Sequence, residues 1–165
     1  TAHQVDATLM TRIAATLASA RVAGSSSKDD WQTPPEILDR VRLVGPIGLD
    51  PCGAPDNPTG AIANWYPESL QESCTDGLAQ PWGLNLCSRE IVYVNPPYSR
   101  AGDWATKIVH EADEGVNIIS LVAARPDSQW FFRLVWDSAQ AVCFWRGRLR
   151  FVGAPSSAPF PSAVV

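Results

Sequence analysis

The most chemically distinctive segment of the chain is Asn95-Pro96-Pro97-Tyr98, which directly follows an apolar run. Two consecutive prolines remove two backbone donors and stiffen the turn, so the Pro96 carbonyl can face outward as an acceptor. Asn95 offers a side-chain carbonyl beside it. Two fixed acceptors suit a planar amino group with two hydrogens, and Tyr98 offers a flat face for stacking against a ring.

The chemistry that such a turn supports is attack by an exocyclic amine. This amine is a poor nucleophile because its lone pair is delocalised into the ring. Two acceptors that hold its hydrogens favour the pyramidal, charge-developing form of the transition state, and the lone pair then attacks a methyl sulfonium in line. Positioning supplies much of the rate, without a metal or a covalent intermediate. The alternative is a proline-rich turn that only ends a strand.

Four apolar runs predict the strands that position this turn. They are residues 47–49, 91–94, 116–122 and 141–145. Helices are predicted before the first strand and after the second and third strands, and this alternation is typical of a mainly parallel sheet flanked by helices. Right-handed crossovers place the loops after such strands along one carboxyl edge, where open α/β sheets bind ligands. The sequence therefore predicts an α/β fold in which Asp50 and Asn95 share that edge.

Capping residues mark two helix starts, and a third helix is predicted near the N-terminus. Thr33 is the predicted N-cap of a helix that begins at Pro34. Asp127 or Ser128 is the predicted cap of a helix after the third strand. Residues 5–22 show a helical apolar stripe and are predicted to form an arm, joined by a linker to the main domain.

Other segments carry weaker patterns. Residues 52–89 are rich in Gly, Pro, Asn, Ser and Asp, which predicts mostly loop. Residues 149–152 are predicted as an antiparallel partner strand, and residues 162–165 as an edge or closing strand.

The composition indicates one compact domain, residues 31–165, after an arm and linker at residues 1–30. The chain has 165 residues, of which 45% are hydrophobic. It shows neither a membrane-length apolar run nor a signal-peptide pattern, which predicts a cytoplasmic protein. Its 4 cysteines form no close pairs with one another or with its 2 histidines, so no metal is expected. The net charge of −4 counts against nucleic-acid binding through charge alone.

Several motifs occur in a fixed order from residue 31 to the C-terminus. They are Trp31-Gln32-Thr33-Pro34, Leu49-Asp50-Pro51, Asp76-Gly77-Leu78 with Pro81-Trp82, Asn95-Pro96-Pro97-Tyr98-Ser99, Gly147-Arg148-Leu149-Arg150-Phe151 and Pro159-Phe160-Pro161-Ser162. In this order they resemble the phage-type DNA N6-adenine methyltransferase (Dam-like) family. The resemblance implies a Rossmann-like methyltransferase fold, S-adenosylmethionine as cofactor, and DNA, double- or single-stranded, as substrate. It also implies a phage or prophage origin in a bacterial host. Residues 52–89 show no clear sign of the two middle strands of a full methyltransferase sheet, so the sheet is expected to be trimmed there.

The resemblance also implies roles for individual residues. The catalytic set is Asn95, Pro96, Pro97 and Tyr98. In the loop after the first strand, Gly53 would permit close backbone approach to the cofactor. Asp76 resembles the residue that accepts a hydrogen bond from the cofactor's adenine, although an ordinary Asp-Gly turn explains it equally well. The implied cofactor-binding residues are Trp31, Thr33, Pro34, Asp50, Pro51, Cys52, Gly53 and Asp76.

The expected DNA-binding residues lie in two segments. Arg146, Arg148 and Arg150 alternate and would share one face of a strand, either to contact phosphates or simply to solvate an edge. Tyr98 and Phe151 are expected to sandwich an adenine flipped out of the duplex. Ser99 and Arg100 follow the catalytic turn and complete the set. Arg125-Pro126-Asp127 also matches the family, but a helix cap at Asp127 explains it without catalysis.

Two other classes of function remain open on the sequence alone. Asn-Pro-Pro-Tyr also occurs in enzymes that methylate glutamine side chains or the N2 of guanine, and their chemistry would be the same. A non-catalytic module that binds nucleic acid or a partner protein is the other class. A metal-dependent nuclease is weaker, because Asp50, Asp76 and Asp103 lack a convincing ligand arrangement. The oligomeric state is open.

Overall fold

The computed structural model describes residues 31–66 and 76–165, so the predicted helix at residues 5–22 lies outside the described residues. The helices are α1 (Pro35–Arg42), α2 (Ala101–Asp113) and α3 (Gln129–Phe131), the last continued by a π-helical segment, Phe132–Ser138. The strands are β1 (Ile47–Asp50), β2 (Ala63–Asn64), β3 (Ile91–Val94), β4 (Ile118–Ala123), β5 (Cys143–Phe144) and β6 (Ser162–Val164). Short 3₁₀ turns occupy Gly83–Asn85 and Tyr98–Arg100.

The strands form one mixed sheet in the order β2-β1-β3-β4-β6-β5. The pairings from β2 to β4 are parallel, whereas β6 runs antiparallel to both β4 and β5. The prediction of an α/β fold, with a sheet flanked by helices, is confirmed. The antiparallel end makes the sheet mixed, because β6 returns from the C-terminus and inserts between two strands that precede it in sequence.

The central strands are buried on both faces, which is why they read as continuous apolar runs. All residues of β1 and β3 are buried. Along β3 the side chains alternate, so Tyr93 packs with α1 on one face of the sheet, and Val92 and Val94 pack with α2 and α3 on the other. The sheet therefore separates two apolar layers, one on each face.

Two strand predictions need correction. Residues 149–152 form no strand, and the antiparallel partner of β5 is β6. Leu149 and Phe151 are buried beside exposed arginines, which gives the alternating pattern of a strand, but the backbone pairs only through a bridge between Val152 and Gln32. The strand predicted at residues 162–165 is present as β6, but it lies inside the sheet between β4 and β5.

The helix cap predicted at Thr33 is wrong, whereas Ser128 is one of the two residues predicted to cap α3. The N-cap of α1 is Pro34, and the hydroxyl of buried Thr33 instead shares a hydrogen bond of 2.9 Å with the hydroxyl of Tyr93. The N-cap of α3 is Ser128, which makes no side-chain capping bond to the helix. Over residues 31–66 and 76–165, every helix is too short or too polar to cross a lipid bilayer.

Truncation of a side chain between the two layers should destabilise the fold strongly. Leu121 on β4 is 0% exposed, and Leu84 is 74% exposed, so the two leucines form a matched pair. We expect Leu121→Ala to lower the free energy of unfolding by about 2–5 kcal/mol, because it removes packed methyl groups and leaves a cavity. Leu84→Ala should change it by less than about 0.5 kcal/mol. Denaturant titration measures both, and equal losses would contradict the assigned core.

Candidate active site

Three parallel strands bring their final residues to one edge of the sheet. β1 ends at Asp50, β2 ends at Asn64, and Asn95 directly follows β3. Because β1 pairs in parallel with both β2 and β3, these residues lie along the same carboxyl edge. The prediction that Asp50 and Asn95 share this edge is confirmed.

Asn95 presents an unpaired acceptor at this edge. Its side-chain Nδ2 donates a hydrogen bond of 2.8 Å to the backbone carbonyl of Trp31, and this bond fixes the orientation of the amide. Oδ1 is buried and finds no hydrogen-bond partner among the described residues. A buried acceptor without a donor is costly. The geometry therefore leaves a place for an N–H donor from a ligand, and Trp31 enters the site through its carbonyl.

The loop after β1 contacts the turn after β3. The backbone N–H of Asn95 donates to the Cys52 sulfur, and the backbone N–H of Cys52 donates to Asp50 Oδ1 at 3.1 Å. Burial raises the pKa of the Cys52 thiol well above its ordinary value, and the neighbouring carboxyl of Asp50 raises it further. The protonated thiol thus joins the loop expected to bind the cofactor to the turn expected to carry catalysis.

Asp50 is a buried carboxyl whose pKa is raised toward neutral pH. Its Oδ2 accepts a hydrogen bond of 3.0 Å from the hydroxyl of Thr59, which is itself buried. Burial raises the pKa of Asp50 from 3.8 to about 6, although the hydrogen bonds from Thr59 and Cys52 act in the opposite direction. A cationic ligand at this edge would favour the ionised form of the carboxyl.

Gly53 is required by a contact within the chain. A Cβ at this position would overlap Oδ1 of Asn64. The backbone is tied there as well, because the Gly53 N–H donates to the Trp65 carbonyl at 2.9 Å and Asn64 Nδ2 donates to the Ala54 carbonyl at 2.7 Å. Gly53 thus allows the close approach of the side chain at the end of β2, and the close approach to a cofactor expected at Gly53 stays a prediction.

The Asp76-Gly77 turn packs directly on the same loop. A Cβ at Gly77 would overlap the carbonyl oxygen of Pro51, so only glycine allows this contact. Asp76 is exposed, and its Oδ1 accepts a hydrogen bond of 2.9 Å from the Leu78 N–H. Asp76 thus forms an Asp-Gly turn and also lies beside the expected cofactor loop.

A network of hydrogen bonds and an ion pair supports the Asp76-Gly77 turn. The indole Nε1 of Trp82 donates to the Gly77 carbonyl at 2.7 Å, and the backbone N–H of Trp82 donates to Glu111 Oε2 at 2.9 Å. Glu111 is 3% exposed on α2 and pairs with Lys107 at 2.6 Å. The network therefore connects α2, through Trp82 and Gly77, to the loop after β1.

An aromatic cluster surrounds Tyr98. The ring of Trp31 stacks on Phe151 with centroids 5.3 Å apart, and Phe160 lies 4.7 Å from Tyr98 in an edge arrangement. Burial raises the pKa of Tyr98, whose hydroxyl is buried without a partner among the described residues. Phe151 is only 2% exposed and covered by Trp31, so it does not offer a free face beside Tyr98. Phe160 is the half-buried ring at that position.

A cleft of about 300 Å³ opens beside Tyr98, at the carboxyl end of β4. The guanidinium of Arg125 lies 5.6 Å above the ring of Phe160 and forms part of the wall. The lining is both aromatic and charged. Its residues are Tyr98, Ala101, Ala123, Arg125, Asp127, Ser128, Trp130 and Phe160.

Comparison with known proteins assigns the chain to a family. A family model described as DNA N-6-adenine-methyltransferase (Dam) matches residues 22–162. The chain belongs to this family. Its sequence is 25% identical over 116 residues to that of the DNA N-6-adenine-methyltransferase of Escherichia phage T1. The aligned region covers 70% of this chain and 44% of that relative. The chain thus spans less than half the length of its phage relative, and no solved structure matches it.

The candidate DNA-binding arginines of this Dam-family chain are exposed but do not lie on a strand. These arginines, Arg146, Arg148 and Arg150, belong to an irregular segment. The prediction that they share one face of a strand is therefore wrong. Arg100 is paired, because its Nε donates to Asp103 at 3.0 Å. Ser99 is exposed next to it. Phosphate contact by these residues stays a prediction.

Several residues of the site gave little signal in the sequence. Asn64 ends a strand of only two residues, Ala63–Asn64, which is too short to show a pattern. Glu111 follows Trp104 and Ile108 at helical spacing on a buried face. A carboxylate at an apolar position of a helix was the available clue, since a buried charge needs partners.

The raised pKa of Asp50 predicts how stability depends on pH. The folded chain binds the Asp50 proton more tightly than the unfolded chain does, so this group's contribution to stability falls as pH rises from about 4 to about 6. Asn at position 50 cannot ionise. The unfolding free energy of Asp50→Asn relative to wild type should therefore increase by about 1–3 kcal/mol across this interval. Denaturant titration at several pH values checks this, with exposed Asp113→Asn as control. A pH-independent difference would contradict the assignment.

Proposed function

We propose that this chain transfers the methyl group of S-adenosylmethionine to the N6 amino group of adenine in DNA. The unpaired, buried Oδ1 of Asn95 is the observation that carries the proposal, because it requires an N–H donor and lies on the ligand-binding edge. Membership of the Dam family and the name of the phage relative support the same reaction. We infer that residues 31–165 form a Rossmann-like methyltransferase domain. Its sheet is trimmed between β1 and β3 in sequence, where β2 is the only strand among the described residues.

The loops after β1 and β2 fit the chemistry of the cofactor. S-adenosylmethionine carries an ammonium, ribose hydroxyls and an adenine amino group, all of which donate hydrogen bonds. The edge offers acceptors to match, namely the Asp50 carboxyl, the exposed Asp76 carboxyl and Asn64 Oδ1, which is buried with no partner among the described residues. The backbone of the loop that follows Asp50 is formed by Pro51, Cys52 and Gly53. The cofactor, when bound, supplies an electrophilic methyl group on a sulfonium.

The residues of the turn act on the amine. Asn95 Oδ1 accepts one hydrogen of the N6 amino group, and the Pro96 carbonyl is the proposed acceptor for the other. With both hydrogens held, the nitrogen lone pair leaves conjugation with the ring and is directed out of the ring plane at the methyl carbon. The N–C bond forms as the S–C bond breaks, and one N6 proton is then lost to solvent. The hydrogen bond from Asn95 Nδ2 to Trp31 keeps Oδ1 in place, so it needs no reorganisation as charge develops.

The target base must leave the DNA stack to reach Asn95. Tyr98 follows Asn95 by one short turn and is proposed to contact the flipped adenine, while Pro97 holds the turn rigid. Because Phe151 is covered by Trp31, Phe160 replaces it as the proposed second aromatic contact. Thr33 and Pro34 are buried behind the site and act by supporting β3.

Loss of the Asn95 acceptor should remove catalysis without loss of fold. We expect Asn95→Ala to slow transfer of labelled methyl from S-adenosylmethionine to unmethylated DNA by about 100- to 1,000-fold, because one preorganised polar contact in the transition state is lost. Asn117→Ala, an exposed asparagine at the opposite edge of the sheet, should change the rate less than about twofold.

Two outcomes would overturn this proposal. Equal rates for Asn95→Ala and wild type would exclude Asn95 as the catalytic acceptor. Unlabelled DNA in the presence of cofactor-bound wild type would exclude DNA as substrate, and labelled RNA or release factor would then identify a guanine or glutamine methyltransferase.

The network under the Asp76-Gly77 turn should set cofactor affinity. Trp82→Phe keeps the ring packing but removes the hydrogen bond to Gly77, so we expect S-adenosylhomocysteine to bind about 3–10-fold more weakly. Trp104→Phe is the matched control, because Trp104 stacks on Trp82 and its Nε1 has no partner among the described residues. Calorimetric titration measures both variants, and equal affinities would contradict the positioning role.

A further inference from the structure

The loop between β1 and β2 holds a buried hydroxyl against the Asp50 carboxyl. Thr59 is 3% exposed, and its Oγ1 donates to Asp50 Oδ2 at 3.0 Å, whereas Asn57 Oδ1 lies farther away at 3.4 Å. A hydroxyl has one hydrogen to donate, so the shorter contact takes it. Thr59 belongs to none of the sequence motifs described above, and this contact is the only reason to single it out.

Contacts of the surrounding backbone hold Thr59 in place. Its carbonyl accepts a hydrogen bond of 2.9 Å from the guanidinium of Arg42, at the end of α1. The side chain of Asn57 closes the loop, because its Oδ1 accepts the Ala61 N–H at 3.1 Å and its Nδ2 donates to the Ala61 carbonyl at 3.0 Å. Asn57 itself has a φ of 45°, in the left-handed region that asparagine tolerates. The hydroxyl is thus fixed where it meets Asp50.

Few other groups act on the Asp50 carboxyl. Its Oδ1 accepts the Cys52 N–H at 3.1 Å, and no cation among the described residues forms an ion pair with it. The titratable groups that interact with it are the thiol of Cys52 and the phenol of Tyr93 on β3. Burial raises the pKa of both, so both stay protonated at neutral pH. Among the groups that oppose the effect of burial on Asp50, Thr59 acts most strongly.

We propose that Thr59 is a positioning residue that keeps Asp50 ionised and oriented for the cofactor. The inference rests on the proposed function, in which Asp50 is one of the acceptors for the cofactor's donors. An ionised carboxylate accepts such hydrogen bonds more strongly than a protonated carboxyl does. The hydroxyl stabilises the ionised form by donating to it, at a place where burial has the opposite effect. Thr59 therefore acts through Asp50 and needs no contact with the cofactor.

Substitution of Thr59 should change how cofactor affinity depends on pH. Thr59→Val removes the hydroxyl but keeps the branched shape, and it should raise the pKa of Asp50 by about 1. Binding of S-adenosylhomocysteine, measured by calorimetric titration, should then weaken about fivefold at about pH 6 and less than about twofold at about pH 8, because only chains with an ionised Asp50 bind it well. Thr59→Ala should behave in the same way. Thr59→Ser, which keeps the donor, should bind like wild type at both pH values.

A threonine on α2 provides the matched control. Thr106 is exposed, and its hydroxyl donates to the Gly102 carbonyl at 3.0 Å, so Thr106→Val also removes one hydrogen bond. This variant should change the affinity less than about twofold at both pH values. The titration of Asp50 itself is followed in the cofactor-free chain by NMR of its side-chain carboxyl, and its midpoint should rise in Thr59→Val and Thr59→Ala only.

An affinity that Thr59→Val leaves unchanged, or lowers equally at both pH values, would overturn the inference, since an equal loss indicates a purely structural role. An unchanged titration of Asp50 in Thr59→Val and Thr59→Ala would overturn it as well. Failure of the proposed function looks different, because wild type itself would then not bind S-adenosylhomocysteine at either pH, and the inference would fail with it.

Discussion

The parallel pairing of β1, β3 and β4 is the constraint on which the rest of the structure depends. These strands lie between two apolar layers, and their pairing sends every following loop to the same edge. The order of the strands then determines the order in which the polar groups lie along that edge. The acidic loops after β1 and β2 lie on one side, Asn95 lies in the middle, and the charged cleft after β4 lies on the other side. Substrate and cofactor would meet at β3.

Local contacts convert this common edge into a site. The hydrogen bond from Asn95 to the Trp31 carbonyl orients the amide and leaves Oδ1 as the acceptor proposed for the substrate amine. The Cys52 sulfur joins the loop after β1 to the turn after β3. Gly77 packs on the Pro51 carbonyl through a contact that a side chain at this position would block. Desolvation at Asp50 acts in the opposite sense, because burial destabilises the ionised form of this carboxyl.

The parts of the fold that could be predicted from the sequence are those set by local pattern. The apolar strands and the turns that end them follow from residue type, so Asp50 and Asn95 could be placed together before the structure was known. Contacts between residues that are distant in sequence could not be predicted in this way. The hydroxyl of Thr33 bonds Tyr93, 60 residues away, rather than capping a helix. Residues 149–152 alternate like a strand, yet β6 takes the place beside β5 because its backbone pairs there without interruption.

The most direct test of the account is to identify the nucleoside that receives the methyl group. Unmethylated DNA is incubated with the chain and S-adenosylmethionine bearing a deuterated methyl group, digested to nucleosides and measured by mass spectrometry. Label is expected in N6-methyldeoxyadenosine, because Asn95 Oδ1 is the proposed acceptor for an exocyclic amine and the chain belongs to the Dam family. Label in another deoxynucleoside, or in none while the chain binds S-adenosylhomocysteine, would contradict it.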